Sequence, residues 1–184
     1  MDDFGPFITT ISGKPFYLLR PEQSVIDVED IAYSLARLCR FTGHVREFYS
    51  VAQHSVLVSE HVPQEGDGHY GYAMDALFHD AAEAYTGDIN QPLKSILDGS
   101  FTKIEARIEW ELANRLGLGY PRDPSIKVED LRAYETEVRD VAPFGRFSQV
   151  TDVKPWDDVK IVGWEPEFAE NQFLDRYVEL GGVI

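Results

Sequence analysis

ALFHDAAEAYTGDINQPLK (residues 76–94) opens as an Ala-rich apolar run and then carries five ionisable side chains: His79, Asp80, Glu83, Asp88 and Lys94. Alanine is the strongest helix former, and the bulky apolar residues beside it need burial. The spacing therefore predicts a central helix from about Tyr70 to Tyr85. Thr86-Gly87-Asp88 ends it, with Gly87 placed as a C-terminal cap. Pro92 then suits the first turn of a short helix running through Leu97. Glu83 follows His79 by four residues and Asp80 by three, so on a helix the three share one side. Packing does not call for so many charges, whereas binding a metal ion and a phosphate does.

Outward from this stretch the pattern stays helical. Residues 7–20 alternate apolar and polar around Gly13-Lys14-Pro15, as a short β-hairpin or two extended pieces. Asp27 and Asp30 form a plausible N-cap pair for a helix through Ile31, Leu35 and Leu38, which stops near Cys39-Arg40. Phe41-Thr42-Gly43-His44 reads as a turn. Ser50 caps a second helix, Val51 to about His61, with Val51, His54, Val58 and His61 on one face. Residues 63–68 form a polar loop. Beyond Lys94, Phe101, Ile104, Ile108, Leu112 and Leu116 mark a helix that stops at Gly117. The Pro121–Pro124 break precedes a helix from about Ser125 to Val141, with Leu131, Tyr134 and Val138 as its buried stripe. Val159–Val162 could be a strand, and Pro166 to Leu180 a last amphipathic helix carrying Phe168, Phe173 and Tyr177. The fold class is all-α with a small N-terminal β-hairpin and a possible short C-terminal strand, and residues 1–184 form one domain.

Composition narrows the function. With 32 acidic against 17 basic residues the formal net charge is −15, which opposes binding to long nucleic acid, where affinity comes from Lys/Arg–phosphate contacts. A small phosphorylated ligand stays open, since a local cation cluster and a metal can outweigh the global field. No apolar run reaches the roughly 20 residues that span a bilayer, so no membrane partner is expected. The first residues, MDDFGPF, are acidic where a signal peptide is basic. Cys39 is the sole cysteine, which excludes cysteine-pair zinc sites and an internal disulfide and fits a cytoplasmic protein.

Two further residues complete a ligand set. His54 lies on the apolar face of its helix, where a core histidine and a metal ligand are both open readings. His79-Asp80 shifts the balance, because two imidazoles and a carboxylate from facing elements suit a metal. Asp130, beside Leu131 and one turn before Tyr134, can supply a second carboxylate or be an ordinary helix N-terminal acid. Asp88 either assists chemistry or caps the following helix. Arg40 and Lys94 can clamp phosphate or sit on the surface for solubility. His61 and His69 read as surface residues, and Trp110, Trp156 and Trp164 as core.

The order His54, His79-Asp80, Asp130 resembles the HD-domain metal-dependent phosphohydrolases. HDAAEAYTGDINQPLK (79–94), SVAQHS (50–55) and Arg40-Phe41 are similar to segments of bacterial 5′-deoxynucleotidases and phage dATP triphosphohydrolases of that superfamily. The likeness runs from about Asp27 to Asp140. It implies metal ligation by His54, His79, Asp80 and Asp130, with a divalent ion (Zn, Co, Mn, Fe or Mg). It also implies catalytic roles for Glu83 and Asp88, and substrate contacts from Arg40, Phe41, His44, Pro92 and Lys94. Phe41 stands where several relatives carry Trp. The implied reaction is hydrolysis of a 2′-deoxynucleotide phosphate ester. A dATP-preferring triphosphohydrolase releasing triphosphate leads, a 5′-deoxynucleotidase acting on monophosphates is the alternative, and a non-catalytic nucleotide-binding protein is the third reading. The likeness further implies a homo-oligomer in the cytoplasm of a bacterium or a phage-infected host cell.

Overall fold

A computed structural model describes residues 4–63, 71–142 and 152–184. His69, Tyr70 and residues 64–68 of the expected polar loop lie outside the described residues. Two short strands, β1 (Phe7–Thr9) and β2 (Pro15–Tyr17), pair antiparallel with Ile8 opposite Phe16. Phe16 is buried and stacks on Tyr85, pinning the hairpin to the helical body.

Eight α-helices follow among the described residues. Helix α1 (Val28–Arg37) starts at Asp27, whose carboxylate accepts from Glu29 N. Asp30 does not share that capping job. It is buried and accepts from Ser12 N and Ser12 Oγ, fastening the hairpin tip to α1.

Helix α2 (Val51–His61) is capped by Ser50, whose side chain accepts from Gln53 N. The sequence suggested one buried face, but every residue from Val51 to Ser59 is buried. Small residues at Ala52, Ser55 and Ser59 allow α2 to be enclosed by α1, α3 (Gly71–Leu77), α7 (Pro124–Asp140) and α8 (Pro166–Glu179).

The long helix expected through Tyr85 is broken. α3 stops at Leu77 and a separate turn, α4 (Glu83–Thr86), resumes after residues 78–82. In between, His79 N, Ala81 N and Glu83 N bond three residues back, to Ala76 O, Phe78 O and Asp80 O. That tighter winding rotates successive side chains away from α-helical positions. Arg122 Nη2 also donates to Phe78 O, satisfying a carbonyl at the break. Gly87 caps α4 with a positive φ, as its sequence position implied. Helix α5 (Gln91–Ile96) and the long α6 (Ser100–Leu116) follow.

The buried side of α7 differs from the apolar stripe read from sequence. Leu131, Tyr134 and Val138 are half-buried, while Ile126, Glu129, Ala133, Thr136 and Glu137 are buried. The acids are accommodated by partners: Trp156 Nε1 donates to Glu129 Oε2. Trp156 is buried as expected and His61 stacks on it, so His61 is not a free surface residue. Trp164 is half-buried, but Trp110 is 52% exposed and does not belong to the core. In α8 Phe173 is buried and Tyr177 half-buried, while Phe168 is exposed and packs edge-on against Trp164.

Val159–Val162 forms no strand. Side chains hold this segment where a sheet would have used its backbone. Asp140 accepts from Ile161 N and from Lys160 Nζ, and Gln53 Nε2 donates to Val162 O while Gln53 Oε1 accepts from Trp164 N. A Cβ on Gly163 would sit 2.1 Å from Phe48 O, so only glycine permits this approach. No described helix is long and apolar enough to cross a membrane.

Candidate functional site

His54 projects from the middle of α2 and is fully buried. Its Nδ1 lies 2.6 Å from Glu137 Oε1. Burial disfavours a charged Glu137, but Arg40 and His54 outweigh it and hold the carboxyl below its usual range, so the oxygen is an acceptor. His54 Nδ1 therefore carries the proton. His79 Nδ1 lies 2.7 Å from Ala76 O, a carbonyl that can only accept, so it too is the N–H. With Nδ1 committed as the donor, each ring turns its Nε2 to the same point, and the two Nε2 atoms stand 3.2 Å apart. Facing lone pairs at that distance repel unless a cation or proton lies between them.

Carboxylates close the same point. Asp130 Oδ1, from α7, lies 3.2 Å from His54 Nε2 and 3.8 Å from His79 Nε2. Its Oδ2 accepts from Lys127 Nζ on the outer side. Asp80 Oδ2 lies 3.2 Å from His79 Nε2 and 3.6 Å from His54 Nε2. Ligands about 2.0–2.2 Å from a single ion stand roughly 3–3.5 Å from one another, which these separations approach. The donor atoms of His54, His79 and Asp130 all fall within 4.8 Å of one another. These three residues form a cluster that could hold a metal ion.

The electrostatics agree with the geometry. Burial alone would lower the His79 pKa, but Asp80 and Asp130 overcome it and push it up to about 10. For His54, burial and Arg40 act downward, and Glu137 and Asp130 carry it upward. Asp130 is held well below the ordinary carboxylate range, the two imidazoles overcoming its burial. The site draws positive charge towards the point where the four side chains meet.

Glu83 opens α4 beside this cluster. It is 7% exposed, and its Oε2 has no hydrogen-bond partner. Burial first, and then the charges of Asp80 and Asp88, push its carboxyl up to about 9. Asp88 is half-buried, and burial raises its pKa. It does not cap α5: Asn90 does, accepting from Leu93 N.

Arg40 leaves a short 3₁₀ turn (Arg40–Gly43) and is largely enclosed. Its Nη2 is 3.1 Å from Glu137 Oε2 and its Nη1 3.7 Å from Asp80 Oδ2, while Nε is buried without a partner. Arg40 is thus an interior residue at the ion cluster, not a solubilising one. Phe41 and Thr42 both have φ of 55°, in the left-handed region that non-glycine residues rarely adopt. This turn is tied to the segment after α4, where Asn90 Nδ2 donates to Thr42 Oγ1. The Phe41 ring lies 6.0 Å from that of Tyr134, one turn beyond Asp130.

The remaining substrate candidates are placed less directly. Lys94 Nζ pairs with Glu105 Oε1 at 2.7 Å, joining α5 to α6. Pro92 is exposed and serves the first turn of α5, and His44 is exposed at the end of the 3₁₀ turn. Nothing among the described residues brings His44 or Pro92 to the ion cluster. Conversely, Glu137 and Tyr49, whose OH donates to Glu137 Oε1, belong to the site's support but were not singled out from sequence. The signal was available: Glu137 is seven residues after Asp130, on the same side of α7.

The fold and this cluster together define a predominantly helical protein with a buried two-histidine, carboxylate site suited to a metal ion. The chain is 39% identical over 176 residues to the Uncharacterized protein YfdR of Escherichia coli (strain K12), covering 95% of each, and it belongs to the YfdR family. It is also 32% identical over 141 residues to the Uncharacterized protein RCAP_rcc00048 of Rhodobacter capsulatus, covering 73% of this chain and 72% of that one. No protein-family model matches the chain.

Proposed function

We propose that this protein is a metal-dependent phosphohydrolase of the HD type acting on a small deoxynucleotide. The observation that carries the reading is the pair of Nε2 atoms of His54 and His79, 3.2 Å apart and closed by Asp130, beside a buried Glu83 oxygen with no partner. His54, His79, Asp80 and Asp130 would hold the ion. A divalent ion there supplies Lewis acidity towards a phosphoryl oxygen and towards water. Glu83, enclosed and unpaired at Oε2, is the group available to move a proton, with Asp88 the second carboxyl in its field. Arg40, held beside Asp80 and paired with Glu137, is the cation at the cluster that could answer charge developing at phosphorus.

Two substrates fit this chemistry, a 2′-deoxynucleoside triphosphate such as dATP and a monophosphate. Charge supports the smaller. Arg40 is bound to Glu137, Lys94 to Glu105 and Lys127 to Asp130, so each of these cations already answers a carboxylate. A triphosphate would demand more positive charge than they leave free.

The test is a panel of nucleotides incubated with metal-loaded protein, followed by identification of the released phosphate. Orthophosphate from deoxynucleoside monophosphates is the expected product. Triphosphate from dATP would establish the larger substrate instead, and no product from any nucleotide would leave a nucleotide-binding protein without turnover.

A further inference from the structure

Glu137 is fully buried on α7, and the partners its carboxylate collects are all donors. Oε1 accepts from His54 Nδ1 and from Tyr49 OH, and Oε2 accepts from Arg40 Nη2. A side chain whose two oxygens both accept satisfies this set, whereas an amide would turn an NH2 group towards one of the donors. Burying a carboxylate is costly unless it is paired on both sides, so a role in packing alone would be better met by an apolar residue. The pairing also has a direction. One oxygen addresses the ring whose other nitrogen faces the ion cluster, and the other addresses the guanidinium beside Asp80.

We propose that Glu137 is the positioning residue of the site. Through His54 Nδ1 it fixes which ring nitrogen is left for the ion. Through Arg40 Nη2 it holds the guanidinium with Nη1 towards Asp80. One carboxylate thereby sets the spacing between the ion and the phosphate-facing cation. Glu137 touches neither ion nor substrate and acts through the two side chains. The inference rests on the reading of His54, His79, Asp80 and Asp130 as an ion site.

The experiment measures Zn²⁺ affinity by competition with a chromogenic chelator in the wild type, Glu137→Gln and Glu129→Gln. Glu129 is a buried acid of the same helix bonded to Trp156, and serves as the control for losing a buried charge from α7. Glu137→Gln is expected to weaken Zn²⁺ binding by about 10–100-fold with helical content retained, and Glu129→Gln to leave it unchanged. An affinity in Glu137→Gln equal to wild type overturns the proposal, as does an equal loss in both variants. Nitrogen-15 NMR of the Zn²⁺-loaded wild type decides the matter without any variant. His54 should carry its proton on Nδ1 and its metal on Nε2, and the reverse arrangement overturns the proposal. A wild type that takes up no Zn²⁺, Mn²⁺ or Co²⁺ removes the ion-site reading itself, an outcome distinct from either of these.

Discussion

Asp80 Oδ2 lies 3.2 Å from Nε2 of His79, the residue immediately before it in the chain. On a regular α-helix adjacent side chains diverge by about 100° and do not meet over one point. The convergence depends on the tightened winding across residues 78–82, where amides bond three residues back. The break between α3 and α4 is therefore part of the candidate site, and the helix gives up its regularity where the two adjacent side chains converge.

Removing either of those candidate ligands should abolish ion binding without unfolding the protein. A divalent ion at 100 times its dissociation constant stabilises a folded chain by about 2.7 kcal/mol. Thermal unfolding of the wild type with and without Zn²⁺ or Mn²⁺ should show that gain, and His79→Ala or Asp80→Ala should lose both the gain and hydrolytic activity. A metal-dependent rise in Tm that survives in His79→Ala would contradict the assignment.

Glu83 should matter for turnover and not for ion binding. Glu83→Ala is expected to keep the metal-induced stabilisation while losing activity by two orders of magnitude or more, the scale of a lost general acid or base, about 10²–10⁴-fold. If the stabilisation disappears instead, Glu83 is a ligand.

The same residue sets a pH dependence in chelator-treated protein. Its carboxyl is pushed up to about 9, against an ordinary value of 4.5. Between those values the folded chain holds a proton that the unfolded chain has released. Its contribution is complete below the lower value and is lost as pH rises towards the upper one. Glu83→Gln should flatten that decline in urea unfolding measured from pH 5 to 9. An unchanged slope would show that Glu83 is not the source.

Two of the contacts that hold the segment before α8 can be broken singly. Gly163→Ala forces a methyl into Phe48 O and should cost about 1–3 kcal/mol through overpacking. Asp140→Asn loses a charged acceptor for Arg139, Lys160 and Ile161 N, at about 1.5–3 kcal/mol. Its hydrogen bond from Arg139, with help from Lys160 and Ile161 N, depresses the Asp140 pKa. That stabilisation is present above the unfolded carboxylate value and fades as pH falls below it. Chemical denaturation of both variants at pH 7 and of Asp140→Asn at pH 3 checks the magnitudes and the sign.

Much of the helical frame was legible because its ends carry chemical signals. Ser50, Asp27, Gly117, Pro124 and Pro166 mark boundaries that periodicity alone would blur, and α1, α2, α6, α7 and α8 fall close to where those residues put them. The ligand candidates were legible too, since a histidine at the centre of α2 and an adjacent His-Asp pair are unusual in an apolar setting. The interruption at residues 78–82 was not legible. Ala-rich sequence favours an unbroken helix, and the bond from Arg122 to Phe78 O comes from 44 residues away. Glu137 was hidden for a related reason: an acid on a helix reads as solvent-facing until its donors are known. Trp110 misled in the opposite direction, because size suggested burial where the ring lies half in water.

Helix α2 carries His54 while neighbours pack against it on every side. A substitution that retuned the ligand would disturb the core at the same time, so mutation has little freedom there. Residues 41–43 of the 3₁₀ turn and the largely exposed α5 are the opposite extreme, where changes cost the core little. Divergence among related chains should accordingly concentrate in those two peripheral segments, while α2 and the side chains packed around His54 stay fixed.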